Sequence, residues 1–170
     1  VIAEIAETPS ERTTEILQKV YSSPIKDELV GKRVQEIKAA GVVCAVSITP
    51  QNTKKFAPVA VEAGADIIVV QSTVTTARHI SKSYHGLVFT ELMEDINVPV
   101  IVGNTVTYSA TLELMETGID GILVGVGPGA ACTTRDVTGV GVPQITATID
   151  CAAARVATIK LDELVLGWQS

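Results

Sequence analysis

Short apolar runs alternate with helical patterns over most of the chain, and this alternation limits the possible folds more than any other feature. The apolar runs predict strands at 42–49, 66–71, 98–103 and 120–125. The intervening patterns predict helices at 51–63, 87–95, 107–117 and 143–160. Because a helix separates each strand from the next, neighbouring strands must run parallel in βαβ units. The sequence therefore predicts an α/β fold built on a parallel sheet.

The first 41 residues predict further helices. Ser10 is predicted to cap one helix, Pro24 to occupy the first position of another, and Gly41 to end it. Nearly the same phrase occurs at 62–67 (Glu-Ala-Gly-Ala-Asp-Ile) and at 116–121 (Glu-Thr-Gly-Ile-Asp-Gly). In both, the glycine is predicted to end a helix just before a strand begins.

Four strands are too few to close an eight-stranded barrel, which typically takes about 250 residues. The residues alone leave open a small doubly wound sheet or half of a barrel. In either fold, ligand-binding residues follow the carboxyl ends of the strands. The chain begins on Val1 within a helical pattern and ends abruptly at Ser170, which predicts that it is part of something longer.

Composition excludes several classes of protein. The net charge is −6 and the sequence has no basic patch, which argues against a nucleic-acid partner. No apolar stretch reaches about 18 residues, so no membrane span is predicted, and no signal-peptide pattern is present. The three cysteines have spacings unlike those of a zinc site, which favours reduced thiols in a cytoplasmic protein.

A glycine-rich stretch at 125–144 follows the fourth predicted strand and contains Cys132. Five glycines in this stretch allow backbone shapes that other residues resist. Arg135 lies close enough to favour the thiolate of Cys132, which is the reactive form. Cys44 and Cys151 instead lie in apolar strand and helix contexts, where burial suppresses the thiolate. We therefore expect Cys132 to be the nucleophile and the other two cysteines to be structural.

The same stretch formally contains the dinucleotide-binding pattern G-x-G-x-x-A at 125–130. That motif requires a helix to begin at the glycines, so that amide groups can hold a pyrophosphate. Here the loop is predicted to continue to about Pro143, and Pro128 has no amide hydrogen. These features disfavour a phosphate site of the Rossmann type.

Polar residues at the ends of the second and third strands are candidate ligand contacts. They are Gln71, Ser72 and Thr73 after one strand and Asn104 after the other. Helix capping is the alternative role for Asn104 and the favoured role for Thr107. His79 and His85 lie in a polar connection without partners at metal-ligand spacing and are interpreted as surface residues.

The segment 120–147, which includes Cys132, closely resembles the catalytic cysteine loop of the IMP dehydrogenase/GMP reductase superfamily. Residues 98–104 resemble the strand before that loop, and 23–29, 45–51 and 68–74 resemble the IMP-dehydrogenase-related branch. The resemblance runs from about residue 10 to residue 157. It implies an α/β fold that is a partial (β/α)8 TIM barrel of about four consecutive βα units. The tail at 161–170 matches nothing in the family.

The resemblance also implies covalent chemistry on a purine nucleoside monophosphate, and two reactions fit it. In an IMP dehydrogenase, the cysteine thiolate adds to C2 of IMP, a hydride leaves for NAD, and hydrolysis of the thioimidate gives XMP. In a GMP reductase, the thiolate displaces ammonia from GMP, and NADPH returns a hydride to give IMP. A third reading is a non-catalytic half-barrel that binds a partner or itself through uncovered strand edges.

By the same resemblance, each candidate site residue receives a role. Cys132 and Thr134 are expected to be catalytic. The expected substrate contacts are Gly127, Gly129, Ala130 and Asn104. The expected cofactor contacts are Gln71, Ser72, Thr73 and Asn104. Potassium is expected on the carbonyls of Gly127, Gly129 and Cys132. The family further implies a homotetramer.

The chain also departs from the family pattern. Gln71 occupies the position of an acidic residue that grips the cofactor ribose in IMP dehydrogenases, and Leu123 that of a usual basic residue. The glycine-rich phosphate loops and the flap with its Arg-Thr-Tyr water activator have no counterpart in this sequence. We therefore expect the 170 residues alone to be catalytically inactive and to associate in solution.

Overall fold

The computed structural model describes residues 2–77 and 86–167, and the predicted alternation of strands and helices is present in them. The strands are β1 (Ala45–Ile48), β2 (Ile67–Gln71), β3 (Val100–Thr105) and β4 (Gly121–Val124). The helices are α1 (Ile2–Ala6), α2 (Ser10–Tyr21), α3 (Asp27–Ala39), α4 (Pro50–Glu62), α5 (Phe89–Asp95), α6 (Tyr108–Met115), α7 (Thr134–Thr138) and α8 (Gln144–Gly167). His79 and His85 lie outside the described residues.

The strands form one parallel sheet in the order β1-β2-β3-β4. Ile48 is paired with Val70, Val70 with Val102, and Val102 with Ile122. Because paired residues in parallel strands point to the same side, these four side chains form a row across one face. The alternate residues form the opposite face.

All helices that contribute to the core lie against one face of the sheet. This face is fully buried at Ile68, Val70, Val100 and Val102. The helix residues that complete the same core are Val34 of α3, Phe56 of α4, Leu92 of α5 and Leu114 of α6. On the opposite face, the apolar side chains are only half-buried: Ile67, Val69, Ile101 and Leu123. This one-sided cover is that of consecutive βα units in a (β/α)8 barrel, which confirms the partial TIM barrel and excludes a doubly wound sheet for the described residues.

Helix α8 packs against α6 through small side chains. Ala147, Cys151 and Ala154 are buried at helical spacing, and the Thr111 hydroxyl donates to Cys151 Sγ at 3.1 Å. The helix continues to Gly167, beyond the end predicted at 160, so most of the unmatched tail is helical. In the described part of the chain, no helix combines the length and apolar character needed to cross a membrane.

Three local predictions were wrong, whereas Gly41 at the end of α3 and Thr107 as a cap are confirmed. Ser10 is the first residue of α2 rather than its cap, because Pro9 takes the N-cap position. Helix α3 begins after Lys26, so Pro24 precedes the helix. The short helix α7 interrupts the stretch predicted to remain a loop until Pro143. Thr107 does cap α6, because its hydroxyl accepts from the Ala110 amide at 3.3 Å.

The repeated sequence phrase corresponds to a repeated hydrogen bond. Asp66 precedes β2, and its carboxylate accepts from the Cys44 amide at 2.7 Å, just before β1. Asp120 precedes β4 and accepts from the Val100 amide of β3 at 2.8 Å. Asp66 also pairs with Lys38 Nζ at 2.8 Å. Each aspartate thus joins the start of its own strand to the start of the preceding one.

We predict that Asp66 contributes to the acid sensitivity of the fold. Its pKa is lowered from 3.8, first by the Cys44 amide and then by Lys38. A carboxyl group with a lower pKa in the folded state stabilises the fold above its ordinary pKa, and this contribution is lost as pH falls through the folded pKa. Asp66→Asn should therefore reduce the fall in melting temperature between pH 5 and pH 2, as measured by circular dichroism.

Lys38→Met is the matched control for this prediction. It removes the ion pair but leaves the Cys44 amide on the Asp66 carboxylate. The variant should retain part of the acid-dependent loss, because the amide is the largest single cause of the lowered pKa and remains in place. If the melting temperature falls equally between pH 5 and pH 2 in Asp66→Asn and in the wild type, Asp66 does not contribute to the acid sensitivity.

Candidate active site

The cysteine loop, residues 125–142, begins at the carboxyl end of β4. Backbone hydrogen bonds tie its first residue to β3 and its last residue to its second. The Gly125 amide donates to the Thr105 carbonyl at 3.0 Å, and the Val142 amide donates to the Val126 carbonyl at 3.0 Å. Gly125 and Gly127 have φ values of 130° and 62°, which residues with a Cβ rarely adopt. These glycines turn the chain sharply out of the sheet and so set the path of the loop.

The Arg135 side chain lies inside the cysteine loop and hydrogen-bonds to the loop backbone. Its guanidinium donates to the Gly129 carbonyl at 3.3 Å. A Cβ on Gly127 would lie 3.1 Å from Arg135 Cγ, and a Cβ on Gly141 only 2.3 Å from it. The arginine stem therefore occupies space that exists because both positions are glycine.

Cys132 is half-buried in this loop and contacts Thr134. Its Sγ lies 3.3 Å from Thr134 Oγ1, and its amide donates to the Gly129 carbonyl at 3.1 Å. The pKa of the Cys132 thiol is lowered, first by the Thr134 hydroxyl, then by the Thr134 amide, and further by the positive charge of Arg135. The sequence pointed to Arg135 as the group that favours the thiolate, whereas Thr134 contributes more. Cys44 and Cys151 are buried, as predicted.

A row of polar groups crosses the carboxyl ends of all four strands. We call it the amide row: Ser47 of β1, Gln71 of β2, Asn104 of β3 and the Gly125 carbonyl after β4. Ser47 Oγ lies 3.5 Å from Gln71 Oε1, and Gln71 Nε2 donates to Asn104 Oδ1 at 3.3 Å. Asn104 Nδ2 then donates to the Gly125 carbonyl at 2.9 Å. The amide row thus connects two predicted ligand contacts to the start of the cysteine loop.

A second polar cluster fixes the turn after β2. The Ser72 amide donates to the Gly103 carbonyl at 2.9 Å, and the Asn104 amide donates to the Ser72 carbonyl at 3.0 Å. The buried Thr75 hydroxyl also donates to the Gly103 carbonyl, at 2.6 Å. Ser72 and Thr75 line a cavity of about 280 Å³, together with Pro50, Leu87 and Phe89 of neighbouring segments. This is slightly below the usual size of a small-molecule pocket, so it suits part of a ligand.

The structure brings some of the predicted site residues together and leaves others apart. Cys132 and Thr134 are in contact, and Gln71 and Asn104 are adjacent in the amide row. Ser72 lines the cavity, while Thr73 is exposed beside it. Within the loop, Gly127 is buried, and both Gly129 and Ala130 are exposed.

The fit of a monovalent cation depends on the Gly129 carbonyl. That oxygen accepts from both the Cys132 amide and the Arg135 guanidinium, so a cation here would have to displace the arginine contact. The loop in this conformation therefore does not fit the predicted potassium site. Nor do the described residues contain any group of three or more His, Cys, Asp or Glu side chains that could hold a metal ion.

Sequence reasoning missed three residues that shape the site. Ser47 ends the amide row, Thr75 fixes the Gly103 carbonyl, and Gln144 Nε2 donates to the Val124 carbonyl at 3.2 Å beside the start of the loop. The alternation of β1 held a signal for Ser47, a polar residue on the same sheet face as Gln71. Thr75 and Gln144 gave no such signal, because their partners are distant in sequence.

A family model and similar proteins both relate this chain to one family of enzymes. The model of the IMP dehydrogenase / GMP reductase domain matches residues 6–161. An uncharacterized oxidoreductase of Mycobacterium tuberculosis is 37% identical over 141 residues, which are 82% of this chain and 38% of that protein. An inosine-5'-monophosphate dehydrogenase of Cryptosporidium parvum is 50% identical over 102 residues, which are 60% of this chain and 24% of that enzyme.

A solved structure supports the same relationship. The crystal structure of an IMP dehydrogenase/GMP reductase-like protein from Corynebacterium glutamicum matches with a TM-score of 0.82 and 33% sequence identity. The match covers 95% of this chain and 42% of that chain. The chain thus spans about two fifths of the length of the mycobacterial and corynebacterial proteins.

We predict that Cys132 is alkylated first among the three cysteines, because the other two are buried. Thr134→Val should raise the pKa of the Cys132 thiol more than Arg135→Gln does, because the threonine contributes the largest part of the lowering. The pH profile of iodoacetamide labelling, followed by mass spectrometry, measures both. Faster labelling of Cys44 or Cys151, or a larger effect of Arg135→Gln, would refute this account.

Proposed function

Because the chain belongs to the IMP dehydrogenase/GMP reductase family, we propose that it carries the nucleophile of a purine nucleotide oxidoreductase that converts IMP to XMP with NAD. The observation that carries the proposal is the Cys132 thiol, half-buried on a glycine loop at the carboxyl end of β4 with Thr134 Oγ1 at 3.3 Å. Support for the dehydrogenase reaction comes from the Cryptosporidium parvum relative, whose name gives that activity. The Val-Gly-Val-Pro-Gln sequence at 140–144 favours the same reaction.

The proposed covalent step uses the lowered pKa of Cys132. The thiolate adds to C2 of the purine, the C2 hydrogen leaves as a hydride, and water then hydrolyses the resulting thioimidate to XMP and the free thiol. A covalent nucleophile of this kind divides one difficult step into easier ones. The hydroxyl and the amide of Thr134 lower the pKa of the Cys132 thiol and so favour the thiolate that the proposed attack requires.

The loop backbone is proposed to receive the substrate. Gly129 and Ala130 are exposed next to Cys132 and present little side-chain bulk, so a flat purine can approach the main chain closely. Because Gly127 has no Cβ, the aliphatic part of the Arg135 side chain can pack against the loop at this position. Asn104 is proposed to contact the base, and its hydrogen bond to the Gly125 carbonyl, the first of the loop, supports this role.

The cavity beside Ser72 is proposed to receive part of the dinucleotide. Ser72 and Thr75 supply polar groups there, while Leu87 and Phe89 supply apolar surface, a mixture typical of cofactor sites. Exposed Gln71 and Thr73 flank the turn and are proposed as further contacts. When bound, NAD accepts the hydride from C2. The proposed chemistry takes no step through potassium, since the Gly129 carbonyl is occupied by Arg135.

GMP reductase remains the second candidate. Gln71 favours it, because a neutral amide replaces the acidic residue that the resemblance leads us to expect in a dehydrogenase. In that reaction Cys132 would displace ammonia from C2 of GMP, and NADPH would supply the hydride. The two reactions use the same thiol, so the substrate pair and not the nucleophile distinguishes them.

We predict that the chain, completed to eight βα units, reduces NAD with IMP and does not oxidise NADPH with GMP. Cys132→Ala should lower turnover at least about a thousandfold, the scale of removing a covalent nucleophile. It should leave IMP binding nearly unchanged, because only the covalent step needs sulfur. Spectrophotometry at 340 nm and calorimetric titration of IMP measure the two effects. Turnover of GMP with NADPH alone would overturn the choice of reaction.

We further predict that the 170 residues alone show no turnover with either substrate pair. One face of the sheet leaves four large apolar side chains half-buried (Ile67, Val69, Ile101 and Leu123), so the isolated chain should also associate. Size-exclusion chromatography with light scattering measures association, and the 340 nm assay measures turnover. Steady turnover by a purified monomer would show that the chemistry requires fewer groups than proposed.

A further inference from the structure

The Gly129 carbonyl is the point at which two parts of the cysteine loop meet. It accepts from the Cys132 amide at 3.1 Å, which closes the turn at 129–132, and from the Arg135 guanidinium at 3.3 Å. A carbonyl oxygen has two lone pairs, so these two donors satisfy it. One oxygen therefore connects the turn that ends at the thiol to the short helix α7, which carries the arginine.

The Arg135 side chain is fixed by the loop backbone and not by a counter-charge. In the part of the chain that the structure describes, no carboxylate forms an ion pair with its guanidinium. Its aliphatic part packs close to the backbone at two glycines, because a Cβ would lie 3.1 Å from Arg135 Cγ at Gly127 and 2.3 Å from it at Gly141. The side chain is thus held at both ends, by the glycines and by the Gly129 carbonyl.

We propose that Arg135 is a positioning residue that holds the Gly129 carbonyl and, through it, the turn that ends at Cys132. Cys132 Sγ lies 3.3 Å from Thr134 Oγ1, and this contact depends on how the turn joins α7, because Cys132 ends the one and Thr134 begins the other. Arg135 follows Thr134 directly and reaches back to Gly129. The proposal rests on the proposed function only in that Cys132 is the proposed nucleophile, and its test uses neither substrate nor turnover.

Gly141→Ala tests the proposal without changing the thiol or the arginine. Gly141 has no positive φ, so alanine fits the backbone, while the new Cβ would displace the Arg135 side chain. Arg135→Met keeps an aliphatic side chain and removes the guanidinium. Both variants should speed hydrogen exchange in the peptide that spans 126–135 about fivefold, the effect of losing one hydrogen bond of typical strength. Gly31→Ala, whose Cβ would make only an ordinary contact at 3.6 Å, is the matched control and should stay within about twofold of the wild type.

Alkylation of Cys132 reports where the guanidinium lies. The ratio of its labelling rates with iodoacetate and iodoacetamide depends on the charge near the sulfur, whereas the thiolate fraction affects both reagents alike. The ratio should fall about twofold in Arg135→Met and in Gly141→Ala, the scale of one unit charge several ångströms away in water. Asp136 keeps its charge in both variants. A loop that only loosens would change both rates together and leave the ratio unchanged.

A double variant separates an effect on the arginine from an effect on the backbone. In Arg135→Ala there is no Cγ for a Cβ at position 141 to meet. Adding Gly141→Ala to that variant should therefore change exchange by less than about twofold, because the two substitutions act through one contact. An equal increase in both backgrounds would show that the alanine acts on the backbone, and it would overturn the proposal.

Three further results would also overturn it. Exchange in Arg135→Met within about twofold of the wild type would mean that the guanidinium does not hold the loop. A lower labelling ratio in Gly141→Ala without faster exchange would mean that the loop does not need the arginine in place. Wild-type values of both quantities in Gly141→Ala would mean that the glycine does not seat the arginine. If Gly141→Ala exposes the buried thiols of Cys44 and Cys151 to alkylation, Arg135→Met decides the question alone.

Discussion

Parallel pairing of the strands in chain order is the constraint on which the site depends, because it brings every carboxyl end to one edge of the sheet. Gln71 is paired with Gly103, and Gly103 with Leu123, so the ends of β2, β3 and β4 lie level. Gln71 and Asn104 are 33 residues apart in sequence, and Asn104 and Gly125 are 21 apart, yet each pair is hydrogen-bonded. Helices confined to one face leave the other face and this edge open to a ligand.

The cysteine loop adds a second level of order that the sheet does not provide. Positive φ values at Gly125 and Gly127 direct the chain outward, and the absence of side chains at Gly127 and Gly141 makes room for the Arg135 stem. The guanidinium then holds the Gly129 carbonyl, and the Cys132 amide binds the same oxygen. The glycines thus make room for the arginine, and its guanidinium donates to the carbonyl that the family resemblance assigned to a cation.

Patterns that act within one element could be predicted from the sequence, and features that depend on register could not. Apolar runs located all four strands, and apolar contexts identified Cys44 and Cys151 as buried. The start of α2 was misplaced because both Pro9 and Ser10 suit a helix start, and the choice between neighbours is decided by backbone geometry. The amide row requires the pairing of Gln71 with Gly103, which no single strand encodes. Likewise, the number of strands left the barrel undecided, and the one-sided packing of the helices confirms the partial barrel that the family resemblance implied.

Cys132, the proposed nucleophile, and the amide row are linked through the backbone and not through charge. Every group that shifts the pKa of Cys132 lies within four residues of it: Thr134, Arg135 and Asp136. The amide row contains no ionisable side chain and reaches the loop only through the Gly125 carbonyl. A substitution at position 71 therefore leaves in place the groups that lower the pKa of Cys132.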